Sequence, residues 1–131
     1  MNGEFDFSEF SKMVRQLEQA SNPNNIDRFM REFLTELAYR ALAKTIKKTP
    51  HATPFLKLNW KVGDIRITAN GYEVDMYNNT EYASYVEFGH RTRNGGWVEG
   101  RFMATLSLKE VEREMPKYFE KKMKDYLGGI V

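Results

Sequence analysis

The sequence of 131 residues contains no cysteine and only two histidines, His51 and His90. The absence of cysteine excludes disulfide cross-links, thiolate zinc sites and cysteine nucleophiles. No apolar run approaches the roughly 18 residues that a membrane-spanning helix needs, and the acidic N-terminus lacks the basic segment of a signal peptide. We therefore expect a soluble protein that is made and assembled in the cytoplasm, without contact with a membrane.

A strong charge of either sign is also lacking, because 20 basic residues nearly balance 18 acidic ones and leave a net charge of +2. This balance is unlike that of proteins whose main task is to neutralise phosphates. Hydrophobic residues make up 41% of the chain and aromatic residues 14%, which is enough for a buried core at this length. We interpret residues 1–131 as a single domain.

Apolar residues recur at the three- and four-residue spacing of amphipathic helices in three parts of the chain. We predict three helices, over residues 1–22, 25–48 and 104–127. Asn25 is the expected N-cap of the second helix. In the third helix, Pro116 is expected to cause a kink or a division, and Gly128-Gly129 to end the helix.

The apolar period changes from 3.6 to 2 after the second helix, which is typical of strands. Apolar and polar residues alternate from Leu56 to Trp60 and again on either side of Asn70-Gly71. Asn-Gly favours a type I′ hairpin turn, in which both residues take positive φ, and Gly63-Asp64 indicates another turn. We therefore predict a three-stranded antiparallel meander over residues 56–77, with a helix covering its apolar face.

Residues 81–89 show helical spacing again, which predicts one or two turns ended by Gly89. Residues 90–100 are rich in glycine and arginine, and we interpret them as an exposed, flexible loop. The predicted order is α-α-β-β-β-(short α)-loop-α. This order indicates an α+β fold, in which long helices pack on a small antiparallel sheet.

Candidates for catalysis or metal binding are few. His90, Arg91 and Arg93 form a basic cluster suited to phosphate binding or acid–base work, but no serine elbow, phosphate loop or closely spaced carboxylate accompanies them. His51 and His90 would need a carboxylate such as Asp64 to complete a metal site. We therefore predict an exposed basic segment, with no catalytic, cofactor-binding or metal-binding residues.

Aromatic residues are concentrated in the middle third of the chain, interleaved with arginines. These residues are Tyr72, Tyr77, Tyr82, Tyr85, Phe88 and Trp97, with Arg66, Arg91, Arg93 and Arg101. Such a segment is typical of a platform on which single-stranded nucleic acid stacks, and also of a protein–protein interface. The near-neutral net charge favours the protein interface.

The segment from Glu81 to His90, which reads Glu-Tyr-Ala-Ser-Tyr-Val-Glu-Phe-Gly-His, resembles a known signature. Tyr-Ala-x-Tyr-Val-Glu-Phe-Gly marks the tail-component family of long-tailed phages and prophages, whose members are also called tail-completion or head–tail joining proteins. The resemblance spans residues 26–127. Arg101-Phe102-Met103 resembles the family's return segment after the loop, although the usual proline is missing there.

The resemblance implies a structural virion protein of the phage neck, with no catalysis and no cofactor. It implies an oligomeric ring, often hexameric, at the head-proximal end of the tail. The partners would be other copies of the chain, the tail tube or terminator, the head connector, and DNA in the lumen. Assembly would take place in the host bacterial cytoplasm.

The resemblance also suggests how such an interface would be built. The signature turn would fix the base of the loop, with Glu87 bonding an arginine or backbone amides, and the loop would order only on assembly. The expected subunit or partner interface consists of Tyr82, Tyr85, Glu87, Phe88, Gly89, His90, Arg91, Arg93, Trp97 and Arg101.

Two other functions stay open at the level of sequence. A small single-stranded nucleic-acid-binding module would reveal itself by salt-sensitive binding. An enzyme using His90 with a nearby carboxylate would require a pH-dependent activity that is lost when His90 is changed. Nothing in the residue spacing supports the enzyme.

Overall fold

The computed structural model describes residues 22–130, with side chains through residue 126, and four isolated earlier positions, namely Lys12, Arg15, Glu18 and Gln19. The predicted helix over residues 1–22 lies outside the described residues apart from those positions. From residue 22 onward the elements are α1 (Pro23–Lys48), α2 (Pro54–Leu58), β1 (Trp60–Val62), β2 (Arg66–Thr68), β3 (Gly71–Glu73), β4 (Met76–Asn78), α3 (Ala83–Phe88), β5 (Gly89–Arg91), β6 (Trp97–Glu99) and α4 (Met103–Ile130). The protein has the predicted α+β fold, with long helices and small antiparallel sheets.

Helices α1 and α4 lie antiparallel and form the larger core. Phe29, early in α1, packs edge-to-face on Phe119, late in α4, with ring centroids 5.5 Å apart. At the other end, Lys48 Nζ lies 3.0 Å from a carboxylate oxygen of Glu110. Phe29 and Phe119 are almost fully buried, and burial of such a side chain contributes about 1.5–3 kcal/mol of transfer free energy.

Helix α1 begins at an Asn-Pro pair. The side-chain oxygen of Asn22 accepts a hydrogen bond from the Asn25 amide at 3.0 Å, so the N-cap is Asn22 and the predicted cap at Asn25 is wrong. Pro23 follows in the first turn, where its missing N–H has no intrahelical partner to lose. The cap fixes the start of the helix two residues before the predicted bound.

Residues 56–77 do not form the predicted three-stranded meander. β1 pairs with β4, and β2 pairs with β3, so the chain doubles back once, at Ala69-Asn70. The Gly63 amide donates to the Asp75 carbonyl at 2.8 Å, which continues the ladder between the two strand pairs. Gly63 therefore marks a break in one long hairpin, here called the ribbon (residues 60–78), and not a turn.

The first predicted strand is wrong as well, because Pro54–Leu58 forms the short helix α2. Leu56 and Trp60 are buried, whereas Leu58 is 82% exposed. Two buried residues four positions apart fit a helical turn as well as an alternating strand. In a strand Leu58 would share their face, and on the helix it lies on the other side.

The ribbon turn also differs from the predicted type I′ turn. Thr68 pairs with Gly71, so Ala69 and Asn70 are the two turn residues. Asn70 does not take positive φ, whereas Gly71 has a φ of 123°. Glycine is thus required one position later than a type I′ turn would place it.

A hydrogen-bonded group holds the ribbon on α1. The Tyr72 hydroxyl donates to Asp27 Oδ1 at 2.6 Å, and Arg31 Nε donates to Asp27 Oδ2 at 2.9 Å. These two hydrogen bonds, with that from Tyr72 the larger, lower the pKa of Asp27. The ribbon is therefore fixed to the early part of the helix.

A second, smaller core joins α2, β1 and the start of α4. Its fully buried members include Leu56 and Met103, and Met76 packs against both cores. Trp60 Nε1 donates to Thr49 Oγ1 at 2.9 Å, which satisfies the indole N–H inside this core. The smaller core places the start of α4 next to α3.

Helix α4 departs from two expectations about its course. It runs without division through Pro116 and continues through Gly128-Gly129 to Ile130. Of the kink or division expected at Pro116, no division occurs; the terminator predicted at Gly128-Gly129 is wrong, and the helix begins at Met103 instead of 104.

Candidate partner-binding surface

The signature segment folds as a short helix followed by a strand. α3 covers six residues, Ala83–Phe88, in agreement with the predicted one or two turns. Gly89 follows with φ 85° and ψ 172°, a conformation that is essentially restricted to glycine. Gly89 therefore turns the chain directly from α3 into β5.

The segment predicted as an exposed, flexible loop, residues 90–100, instead contains paired strands, so the prediction of a loop is wrong. Arg91 pairs with Trp97 across the two strands. The turn is closed by the Thr92 amide, which donates to the Gly96 carbonyl at 2.9 Å. This β5–β6 hairpin (residues 89–99) carries its exposed side chains on a hydrogen-bonded pair of strands.

Glu87 joins the signature helix to α4. Only 6% of the residue is exposed, and its carboxylate accepts hydrogen bonds from the Ala104 amide at 3.0 Å and from the Thr105 amide at 2.9 Å. The Thr105 hydroxyl donates to the same carboxylate at 2.7 Å. The prediction that Glu87 bonds backbone amides is confirmed, and those amides are the free donors of a helix N-terminus.

The base of the hairpin is a close crossing of two backbone segments at Gly89 and Gly100. A Cβ atom on Gly89 would lie 2.5 Å from the Val98 carbonyl oxygen, and one on Gly100 would lie 2.5 Å from the Glu87 carbonyl oxygen. Real Cβ atoms do not approach backbone this closely, so only glycine fits at either position. The crossing sets the angle at which the hairpin leaves the body of the protein.

Phe102 completes the connection into α4. Its amide donates to the Glu87 carbonyl at 3.0 Å, and its φ of 48° is positive, which is uncommon for a bulky residue. The Phe102 ring lies edge-on to Phe88, with centroids 6.4 Å apart. The return segment, Arg101-Phe102-Met103, therefore leads directly into α4, which begins at Met103.

Six large apolar side chains on α3, the hairpin and the return segment face solvent. They form what we call the aromatic surface: Tyr82, Tyr85, Phe88, Trp97, Val98 and Phe102, each between 37% and 59% exposed. Single exposed apolar residues are ordinary, but several on one small structural unit are typical of an interaction site. The geometry therefore supports a protein-binding surface.

Three arginines accompany the aromatic surface without an internal counter-ion. Within the described part of the chain, Arg91, Arg93 and Arg101 form no ion pair, whereas Arg66 binds both Glu73 and Asp75. A guanidinium without a partner in its own chain is free to pair with a partner's carboxylate or phosphate. The combination of exposed rings and unpaired arginines is typical of interface hot spots.

The two histidines lie in different settings. His90 belongs to β5 and stacks near Tyr85, with ring centroids 5.3 Å apart, whereas His51 is exposed beside Lys57. Among the residues that the structure describes, no three His, Asp or Glu side chains are grouped to hold a metal ion. No helix of the described chain is long and apolar enough to cross a membrane.

The ten predicted interface residues lie on α3 and its N-cap, on the hairpin and on the segment that follows. Glu87 is the exception to their exposure on this unit, because it is buried and binds the first turn of α4. Sequence reasoning missed Val98, Phe102, Gly100 and Thr105. Val98 and Phe102 extend the aromatic surface, Gly100 fixes the hairpin base, and Thr105 binds Glu87. Spacing gave no signal for Gly100 or Thr105, because their roles depend on contacts with the distant α3.

Comparisons with known proteins point to one family. The sequence profile described as "Bacteriophage HK97-gp10, putative tail-component" matches residues 11–89, which include the whole signature segment. A segment of 60 residues is 35% identical to an uncharacterized protein, MJ0331, of Methanocaldococcus jannaschii, and covers 46% of this chain and 42% of that protein. The chain therefore matches less than half the length of that relative. No solved structure matches the chain. Because the profile covers more than half of the 131 residues, the chain belongs to the HK97-gp10-like family of bacteriophage tail components.

Proposed function

We propose that this protein forms a ring, hexameric in the particle, at the head-proximal end of the phage tail and joins the tail to the head connector. Its partners are then other copies of the chain, the tail tube or terminator protein and the connector, with DNA passing through the lumen. It acts structurally and not as an enzyme. It is assembled into the virion in the host bacterial cytoplasm.

The observation that carries the proposal is the aromatic surface with its three unpaired arginines. Trp97 is 56% exposed and Phe88 59% exposed, and both are held by a base in which Gly89 and Gly100 cross. A preorganised hairpin loses little conformational freedom on binding, so more of the contact free energy appears as affinity. Repetition of the same contact around a ring multiplies this advantage.

A particle-assembly experiment tests the proposal. In the phage that encodes the chain, the triple replacement Arg91→Ala, Arg93→Ala and Trp97→Ala is expected to give separate heads and tails and a sharply reduced plaque titre. Lys121→Ala, which changes an exposed residue of α4, is the matched control and should assemble normally. Wild-type titre and intact particles from the triple variant would contradict a joining role for this surface.

A single-stranded nucleic-acid-binding module is the second candidate. The same exposed rings and free arginines favour it, because bases stack on aromatic side chains and arginine follows the phosphate backbone. It predicts binding to single strands at low salt that weakens steeply as salt is raised. Fluorescence anisotropy with a labelled oligonucleotide measures this, and absence of binding at low salt removes the candidate.

A further inference from the structure

A cavity of about 370 Å³ lies between α1 and the ribbon, at the break in the ribbon ladder. Thr35 and Tyr39 of α1 form one wall, and Val62, Ile65 and Val74 of the ribbon form the other. The volume lies within the roughly 300–1,000 Å³ of typical ligand pockets. Arg31, which is paired with Asp27, and Asp64 also line the cavity, so its apolar side chains are accompanied by charged groups of both signs.

The ribbon around this cavity carries a small excess of negative charge. Residues 60–78 contain the carboxylates Asp64, Glu73 and Asp75 and the basic residues Lys61 and Arg66. Arg66 is shared between Glu73, at 3.1 Å, and Asp75, at 2.8 Å. Asp64 lines the cavity together with Arg31. Within the described part of the chain Asp64 forms no ion pair, whereas Arg31 is paired with Asp27, so Asp64 is the unpaired charge in the lining.

The β5–β6 hairpin has the opposite charge. From Gly89 to Arg101 the chain carries three arginines and one carboxylate, Glu99. Trp97 is more than half exposed and lies on Gly89, whose added Cβ would come 2.9 Å from Trp97 Cζ2. The hairpin therefore presents an aromatic ring among positive charges, which are opposite in sign to the unpaired Asp64 of the cavity.

We propose that the hairpin of one copy of this chain docks on the ribbon of the next copy, with Trp97 in the cavity. In this arrangement Arg91 and Arg93 face Asp64 and Glu73 of the neighbouring copy. Two different surfaces of each subunit meet, so the contact is heterologous and closes into a ring when its rotation permits. The inference rests on the proposed function only for the premise that copies of the chain assemble with one another.

The cysteine-free chain allows a direct cross-linking test. Asn94→Cys places a thiol in the hairpin turn, and Thr35→Cys places one at the cavity. The two single-cysteine proteins, distinguished by size tags, are mixed and treated with a short bismaleimide. Docking predicts a cross-linked heterodimer at about ten times the yield of a control mixture of Asn94→Cys and Lys121→Cys, because docking raises the local concentration of the paired thiols.

Charge-reversing substitutions make the cross-linking test more specific. Asp64→Lys in the Thr35→Cys partner should reduce the heterodimer yield by at least about tenfold, since a lysine would then face Arg91 and Arg93. Arg91→Glu with Arg93→Glu in the Asn94→Cys partner should restore it. Equal yields with Thr35→Cys and Lys121→Cys, or a yield insensitive to Asp64→Lys, would overturn the docking.

The outcomes separate this inference from the proposed function. If the triple hairpin variant abolishes particle assembly but no cavity-specific cross-link forms, the joining role stands and the docking is wrong. If the cavity-specific cross-link forms but the triple variant assembles infectious particles, the docking stands and the joining role is wrong.

Discussion

At the scale of single residues, Glu87 has a position that its place in the signature does not reveal. Its side chain lies in α3, but its hydrogen-bond donors, the Ala104 and Thr105 amides, belong to the first turn of α4. One carboxylate therefore caps a helix that begins sixteen residues later in the chain. Loss of the carboxylate would affect both the start of α4 and the base of the hairpin.

Replacement of Glu87 by alanine should destabilise the protein by about 2–3 kcal/mol, because two buried amides lose a charged acceptor. Glu87→Gln keeps one acceptor oxygen and should lose less. Glu112→Ala, at an exposed position of α4, should change the free energy of unfolding by less than about 0.5 kcal/mol. Urea unfolding followed by circular dichroism measures all three, and equal losses for Glu87→Ala and Glu112→Ala would contradict the capping role.

The glycine crossing gives a second residue-scale prediction. Gly100→Ala should destabilise the protein by more than about 2 kcal/mol, because its Cβ would overlap the Glu87 carbonyl. Gly95→Ala is the matched control, since its φ is +82° but no atom lies within 4 Å of an added Cβ. It should lose only about 1 kcal/mol, from backbone conformation alone. A Gly100→Ala variant as stable as Gly95→Ala would show that the crossing is looser than described.

The hairpin itself was within reach of the sequence. Asn94-Gly95 is the same dipeptide that predicts a hairpin turn at Asn70-Gly71, one residue beyond the ribbon turn at Ala69-Asn70. Residues with high strand propensity, Trp97 and Val98, follow it. The glycine and arginine content of residues 90–100 favours a loop instead, and this is why the hairpin is not predicted from the sequence. The contacts of Gly100 were beyond prediction, since they depend on a carbonyl that the fold brings from α3.

At the scale of elements, α1 and α4 are linked along one edge by ion pairs. Glu110 accepts hydrogen bonds from Lys48 at 3.0 Å and from Lys44 at 3.3 Å. The bond from Lys48 and then that from Lys44 hold the pKa of Glu110 below its ordinary value of 4.5. Because the folded pKa lies below the unfolded one, the contribution to stability is present above about pH 4.5 and is lost as pH falls through the folded pKa.

Glu110→Gln should therefore be less stable than the wild type at pH 7, with a difference that shrinks as the pH is lowered toward 3. The reason is that protonation removes from the wild type the interaction that the variant already lacks. Urea unfolding midpoints at a series of pH values measure the difference, with Glu112→Gln as the control. A difference that stays constant with pH would exclude the ion pairs as its source.

The sequence predicted the two long helices well and the ribbon poorly, for physical reasons. α1 and α4 have apolar faces many turns long, so packing and periodicity agree. In the ribbon each strand has only three residues, too few for alternation to separate a strand from a helical turn. The exposure of Leu58 distinguishes α2 from the predicted strand, and the hydrogen bond from Gly63 to Asp75 distinguishes one long ribbon from a meander. Both features depend on tertiary contacts.

At the scale of the whole molecule, the two cores share α1 and Met76. Met76 packs against both buried clusters, so we expect a substitution that disrupts the packing of one core to destabilise the other as well. Domains of this size usually unfold in one cooperative step. The reporter for the smaller core is Trp60, which is 9% exposed.

Phe119→Ala, a change in the larger core, should destabilise the protein by about 3–5 kcal/mol. It should shift the unfolding transition reported by Trp60 fluorescence as much as the transition reported by circular dichroism. Trp97→Phe in both proteins leaves Trp60 as the sole tryptophan, since the chain has two. Fluorescence and far-ultraviolet circular dichroism should then give coincident urea transitions. A circular dichroism transition that shifts while the Trp60 transition stays in place would show that the two cores unfold separately.

The crossing of Gly89 and Gly100 also has an evolutionary consequence. The direction of the hairpin is set by main-chain atoms at its base, whereas at the tip no atom lies within 4 Å of a Cβ added to Gly95. Mutations at the tip can therefore accumulate without a change in how the hairpin is held. A phage lineage that acquires a new neighbour in its particle can change the residues that meet it and keep the rest of the protein as it is.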